Sequence, residues 1–113
     1  MVRPTGNQSI EEQILIDVKK VIKDIGGDSI LRIVLYGSRA RGDYDAISDI
    51  DVAVIVRGLT RELKTKLLDA VAEVELRYLA PLSMLVLDEK DFEFLKKRER
   101  RIALDIEKEG ILL

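Results

Sequence analysis

At 113 residues, 47% apolar and 35% charged, the chain suits one globular domain with one core, and is neither disordered in composition nor large enough for two. A net charge of −2 gives no general pull toward nucleic acid or an anionic membrane. The lack of any cysteine or histidine removes disulfides, a thiol nucleophile, an imidazole base and the usual zinc ligands, so a bound metal must be held by oxygen: magnesium, manganese or calcium.

Residues 1–8 read as a flexible tail before a single domain, 9–113. Ser9 and Glu12 form a capping box, in which each side chain satisfies a free backbone donor of the first turn. Ile10, Ile14, Val18, Val21, Ile22 and Ile25 follow at helical spacing, and Gly26-Gly27 ends the helix. Two short β-branched runs, LRIVLY (Leu31–Tyr36) and VAVIV (Val52–Val56), are bounded by turn signals and predict strands from about Ile30 to Tyr36 and Asp49 to Val56. Thr60 caps a second helix with Leu63, Leu67, Val71, Val74 and Tyr78 inward. Pro81 ends that helix and opens a third strand, Leu82 to Leu87. Asp88 caps a last helical region with Phe92, Leu95, Ile102 and Ile106 inward; Gly110 ends it, and ILL adds a short edge strand. The run KKRERR (Lys96–Arg101) reads as the charged, solvated side of that helix, with partner docking or RNA contact as the alternative. The order of elements predicts an α+β fold, a small mixed β-sheet with helices packed on one face. No apolar run reaches the roughly 20 residues of a membrane span. The N-terminus has no signal-peptide core either, so a cytoplasmic protein is expected.

Between the first two strands lies GSRARGDYDAISDID, residues 37–51. Asp49 and Asp51 are two apart, which on a strand places both carboxylates on one face with Ile50 on the other. Such a pair repels unless a cation sits between, and a divalent cation would also bridge phosphate oxygens. Gly37 permits a positive φ and close approach of a phosphate. Ser38 offers a hydroxyl and an amide, Arg39 and Arg41 add positive charge, and a helical turn there would aim free amides at an anion. Gly42 permits the next turn, and Ser48 can fix the loop through local backbone bonds. Taken singly, a Gly-Ser at a strand end is a turn, an Asp-x-Asp a solvated strand end and an arginine pair surface. Two acids flanked by apolar residues, eleven positions after Gly-Ser with Arg-x-Arg-Gly between, make a site.

The phrase GSRARGD…SDIDVAV resembles the signature of the DNA polymerase beta-like nucleotidyltransferase superfamily, and the single-domain size resembles its minimal nucleotidyltransferases. The specific match spans residues 36–54, and EKEGILL resembles the usual close of these small chains. The resemblance implies the polymerase beta-like nucleotidyltransferase fold. It implies that Gly37 and Ser38, with Arg39, Arg41 and Ser48 beside them, hold a nucleoside triphosphate, with ATP expected. Asp49 and Asp51 would be the catalytic pair and would bind Mg2+ or Mn2+. The reaction would be in-line attack of a hydroxyl on the α-phosphate with pyrophosphate leaving. Minimal nucleotidyltransferases resemble antitoxins paired with an all-helical HEPN-type protein, and some place AMP on a tyrosine of that partner. The chain shows no further domain for base and acceptor, so a partner chain is expected, and the ILL edge is compatible with a homo-oligomer.

One feature departs from the family pattern. A third carboxylate is expected on the later strand, but PLSMLVL contains no acid; Ser83 or Leu85 takes the position. Asp88, Glu75 and Glu99 are the substitutes, and each has a simpler reading as a cap or surface residue. The alternative function is therefore a catalytically decayed subunit that acts by binding a HEPN-type partner. A stand-alone nucleic-acid module is disfavoured by the net charge and the scarcity of aromatic residues.

Overall fold

The computed structural model describes residues 6–37, 40 and 49–113, and the backbone alone in residues 6–9. The elements are α1 (Gly6–Gly26), a single 3-10 turn (Gly27–Ser29), β1 (Ile30–Tyr36), β2 (Ile50–Val56), α2 (Arg61–Tyr78), β3 (Leu82–Asp88), α3 (Glu89–Lys97), α4 (Arg101–Glu109) and β4 (Ile111–Leu112). The sheet order is β3-β2-β1-β4. β1 runs antiparallel to both β2 and β4, while β2 and β3 are parallel and joined through α2, as a parallel pair requires.

The expected α+β class with a small mixed sheet is what forms. The long helices do share one face: Ile14, Val18 and Ile22 of α1 and Leu67, Val71 and Val74 of α2 pack on Ile33, Leu35, Val52, Val54, Val56 and Val86. The opposite face is covered too, by α3 and α4, where Phe92, Ala103 and Ile106 pack on Val34, Ala53 and Ile55. Helices on one face alone is thus corrected to helices on both. The cause is β2 itself: IDVAVIV buries apolar side chains on both sides, the mark of a strand with a layer above and below.

Three boundaries also differ from expectation. α1 begins at Gly6, so residues 6–8 belong to the helix and Ser9 lies inside it rather than capping it. β2 begins at Ile50, leaving Asp49 one residue outside. The last helical region is two helices, broken where Glu99 takes φ 53°. KKRERR therefore spans a corner and not one helical face, and Ala103 turns inward while Ile102 is exposed.

Local chemistry fixes the remaining ends. The Thr60 hydroxyl accepts from the Leu63 amide at 3.1 Å, and Leu79 closes α2 with φ 52°. The Asp88 carboxylate accepts from the Leu59 amide at 2.8 Å and the Lys90 amide at 3.0 Å, so it caps α3 and ties it to the start of α2. On the thinner face, Phe92 is wholly buried, with Arg32 and Lys96 5.1 and 5.2 Å from its ring centre. Glu107 bonds Arg32 at 3.0 Å and lies 3.8 Å from Lys96. Between α1 and α2, the Tyr78 hydroxyl donates to Asp17, which also accepts from Gln13 and lies 3.5 Å from Arg77. These contacts, the Tyr78 bond foremost, hold the Asp17 carboxyl below its ordinary range.

Phe92→Ala is expected to cost about 3–5 kcal/mol, read from urea unfolding. A second expectation concerns acid. Because the folded pKa of Asp17 is depressed, its contribution is complete above the unfolded value and lost as pH falls through the folded one. Tyr78→Phe should lower the unfolding midpoint at neutral pH and flatten the decline in stability below about pH 4.

Candidate active site

The site grows from the end of the sheet where β1 stops and β2 begins. The hydrogen-bonded register sets Tyr36 opposite Asp51 and Asp51 opposite Ser83, one row across three strands. Adjacent strands lie about 4.8 Å apart, so these side chains are neighbours. Alternation gives the row the same face as Ala53, Ile55, Leu85 and Leu87, the face covered by α3 and α4. The row is where that apolar face gives way to oxygen.

Two hydrogen bonds, one to backbone and one to a side chain, hold the row in line. The Ile50 amide donates to the Pro81 carbonyl at 3.0 Å, pinning the start of β2 to the start of β3. The Leu82 amide donates to a Glu75 carboxylate oxygen at 2.8 Å, so α2 anchors the same strand end. Gly37 then turns away from β1 with φ 74°. A Cβ on Gly37 would stand 2.5 Å from Oδ2 of Asp51, so its backbone passes directly against the acid. Only glycine satisfies both the torsion and the contact. Asp51 is half-buried and Asp49 exposed just ahead of the strand, while Ile50 between them is buried in the α1–α2 core. Burial, and next the charge of Asp51, push the Tyr36 phenol above its usual pKa.

The structure thus brings Gly37 and Asp51 together. Ser38, Arg39, Arg41, Gly42 and Ser48 lie outside the described residues. Between the two positions offered for the missing acid, the register selects Ser83; Leu85 is level with Ala53 and belongs to the α3–α4 core. The substitutes are engaged or distant. Asp88 is level with Val56 at the other end of the sheet, and two backbone amides, Leu59 first, depress its pKa. Glu75 holds the Leu82 amide, and Glu99 is exposed in the corner between α3 and α4. Among the described residues no three acids gather as a metal cluster. Tyr36 was not singled out from sequence; its signal is its place as the last residue before Gly37 on a strand that pairs with β2.

Chemically, the row supplies oxygen alone: one carboxylate, a phenol and a hydroxyl, with the second carboxylate of Asp49 beside it. That donor set suits a hard divalent cation and excludes a soft one.

Comparison with known proteins points the same way. The family model described as nucleotidyltransferase domain matches residues 15–113. A Methanocaldococcus jannaschii protein named as a candidate protein adenylyltransferase is 39% identical over 67 residues, 58% of this chain and 68% of that protein. A 1.40 Å crystal structure of a candidate nucleotidyltransferase from Sulfolobus solfataricus aligns with a TM-score of 0.50 at 23% identity, covering 98% of this chain and 90% of that one. At that identity the likeness speaks for the fold.

Gly37→Ala should destabilise the protein by more than about 1 kcal/mol, through its torsion and its clash with Asp51. Combined with Asp51→Ala, which removes the carboxylate, the two costs should fall short of additive by about 0.5–3 kcal/mol, measured by unfolding all four proteins.

Proposed function

The chain belongs to the nucleotidyltransferase domain family, and from that membership we propose that it moves AMP from ATP to a hydroxyl of a protein partner. Asp49 and Asp51 would hold Mg2+ or Mn2+ in this reaction. The observation that carries the reading is the contact between Gly37 and Asp51, a carboxylate set against backbone that only glycine leaves open.

A cation held by Asp49 and Asp51 would neutralise charge on the triphosphate and on these acids. The chain's own residues bind and orient. Asp51 is fixed by its place in β2 and by the anchoring of β2 to Pro81. Gly37 and Ser38 receive the phosphates, with Arg39, Arg41 and Ser48 completing the cradle. Tyr36 and Ser83 form the walls of the row on either side of Asp51. The acceptor oxygen forms a bond to the α-phosphorus as the bond to the departing pyrophosphate breaks, and the acceptor's proton goes to water. Catalysis of this kind is mostly positioning and charge stabilisation, so a dedicated base, ordinarily worth about 10²–10⁴-fold, is not required for the step.

The partner proposed is a helical HEPN-type protein carrying an acceptor tyrosine, with this chain acting as its antitoxin. The name of the Methanocaldococcus relative supports a protein acceptor. A second reading is favoured by Ser83: a neutral residue level with Asp51 suits a subunit that binds its partner without modifying it.

Calorimetric titration with a non-hydrolysable ATP analogue should show binding that needs magnesium and is lost in Asp49→Asn and in Asp51→Asn, with the circular dichroism of both variants unchanged. Binding indifferent to magnesium and to both substitutions would sink the proposal. Intact binding with no AMP on the partner by mass spectrometry would select the second reading.

A further inference from the structure

α2 carries two apolar stripes. The first, Leu67, Val71 and Val74, is buried against the sheet. The second is Leu68, Ala72, Leu76 and the C-cap Leu79, spaced four, four and three residues apart, so it too follows the helix. At about 100° per residue it lies roughly 130° round the helix from the first. All four of its residues are exposed, Leu76 by 72% and Leu79 by 87%. A single exposed leucine needs no explanation, but an aligned row marks a contact surface. Its neighbours place the row. Tyr78 and Arg77 meet Asp17 of α1 on one flank of α2, while Glu75, on the other, holds the Leu82 amide at the start of β3. The row therefore looks outward beside β3, an edge strand of the sheet, and away from α1.

The charges of α2 say what covers it. The first two turns hold Arg61, Lys64 and Lys66 against Glu62; the rest of the helix holds Asp69, Glu73 and Glu75 against Arg77. This order is the reverse of what steadies a lone helix, whose amino end favours acids and whose carboxyl end favours bases. A second α2 running antiparallel complements it, basic half to acidic half. The side chains fit the same arrangement. With Leu68 of one copy packed against the small Ala72 of the other, the register sets Lys64 opposite Glu75 and Thr65 opposite Leu76, and a twofold axis repeats every contact. Near the axis Asp69 meets its own copy, on the solvent side of the row, where salt screens like charge best. We infer that the chain pairs with a second copy of itself through this outer face of α2, antiparallel across a twofold axis near residue 70.

Sedimentation equilibrium of the full chain tests this. Wild type should approach twice the monomer mass as its concentration rises to about 200 µM, since a small helix-pair interface is a weak one. Leu76→Glu, at a position exposed in the monomer, should keep its circular dichroism and raise the dissociation constant at least about tenfold. Leu112→Lys, on the exposed β4 edge, should leave that constant unchanged. Orientation is read from disulfide formation, which is clean because the chain has no cysteine of its own. Thr65→Cys mixed with Leu76→Cys should give a mixed disulfide. Leu79→Cys should not link to itself, because antiparallel copies hold those residues about 27 Å apart along the helix. Wild type that stays monomeric at about 200 µM overturns the inference and leaves the row to a different protein, and this needs no variant to fold. A dimer that survives in a folded Leu76→Glu, or one broken by Leu112→Lys instead, overturns it too. So does a dimer in which Leu79→Cys links to itself while Thr65→Cys and Leu76→Cys do not link to each other.

Discussion

β2 is a strand with no solvent side, and most of the structure follows from that. Every one of its side chains but Asp51 is apolar and buried, from Ile50 to Val56. Its backbone is paired with β1 and β3, so both edges are also used. Such a strand needs a layer on each face, which α1 with α2 and α3 with α4 supply. It also leaves one place where a carboxylate escapes the heavy cost of burial, the first turn of the pleat past the core. Asp51 occupies that place. The position of the acid is therefore a property of the sheet, and the surrounding groups inherit it through register.

The second layer is thin. α3 and α4 have nine residues each and bury fully only Phe92, Ala103 and Ile106. The layer is sealed by side chains with long apolar stems: Arg32 and Lys96 lie over Phe92 with their charges turned to Glu107. At least one lysine of the KKRERR run thus has structural work, and Arg98 lies 5.3 Å from the Phe94 ring centre. That accounts for part of a basic run that composition alone leaves open between a solvated face and a docking patch.

What was legible in the sequence was what is local. The caps at Thr60 and Asp88 and the apolar strand runs each depend on residues close in the chain, and they are found where spacing puts them. The corner between α3 and α4 was not legible, because Lys, Arg and Glu are good helix formers and nothing local breaks them. An unbroken helix over 89–109 would run about 31 Å, longer than the roughly 23 Å of a seven-residue strand beneath it. The chain folds back to stay on the sheet, and Glu99 takes the left-handed torsion that permits it. The row of Tyr36, Asp51 and Ser83 was equally hidden, since it joins one antiparallel and one parallel register over some fifty residues of chain. The family resemblance narrowed the third position to Ser83 or Leu85, and of these the register sets Ser83 level with Asp51.

The stretch from Gly37 to Asp49 connects two strands that are hydrogen-bonded neighbours in the sheet. Closing a loop costs entropy that grows only with the logarithm of its length, so doubling such a connection adds about 0.6 kcal/mol. The strands it joins are held by cores on both faces. On entropy alone, a change in the length of this connection costs the sheet little. The sheet is then a fixed frame that carries Gly37 and Asp51 whatever the length of chain between them.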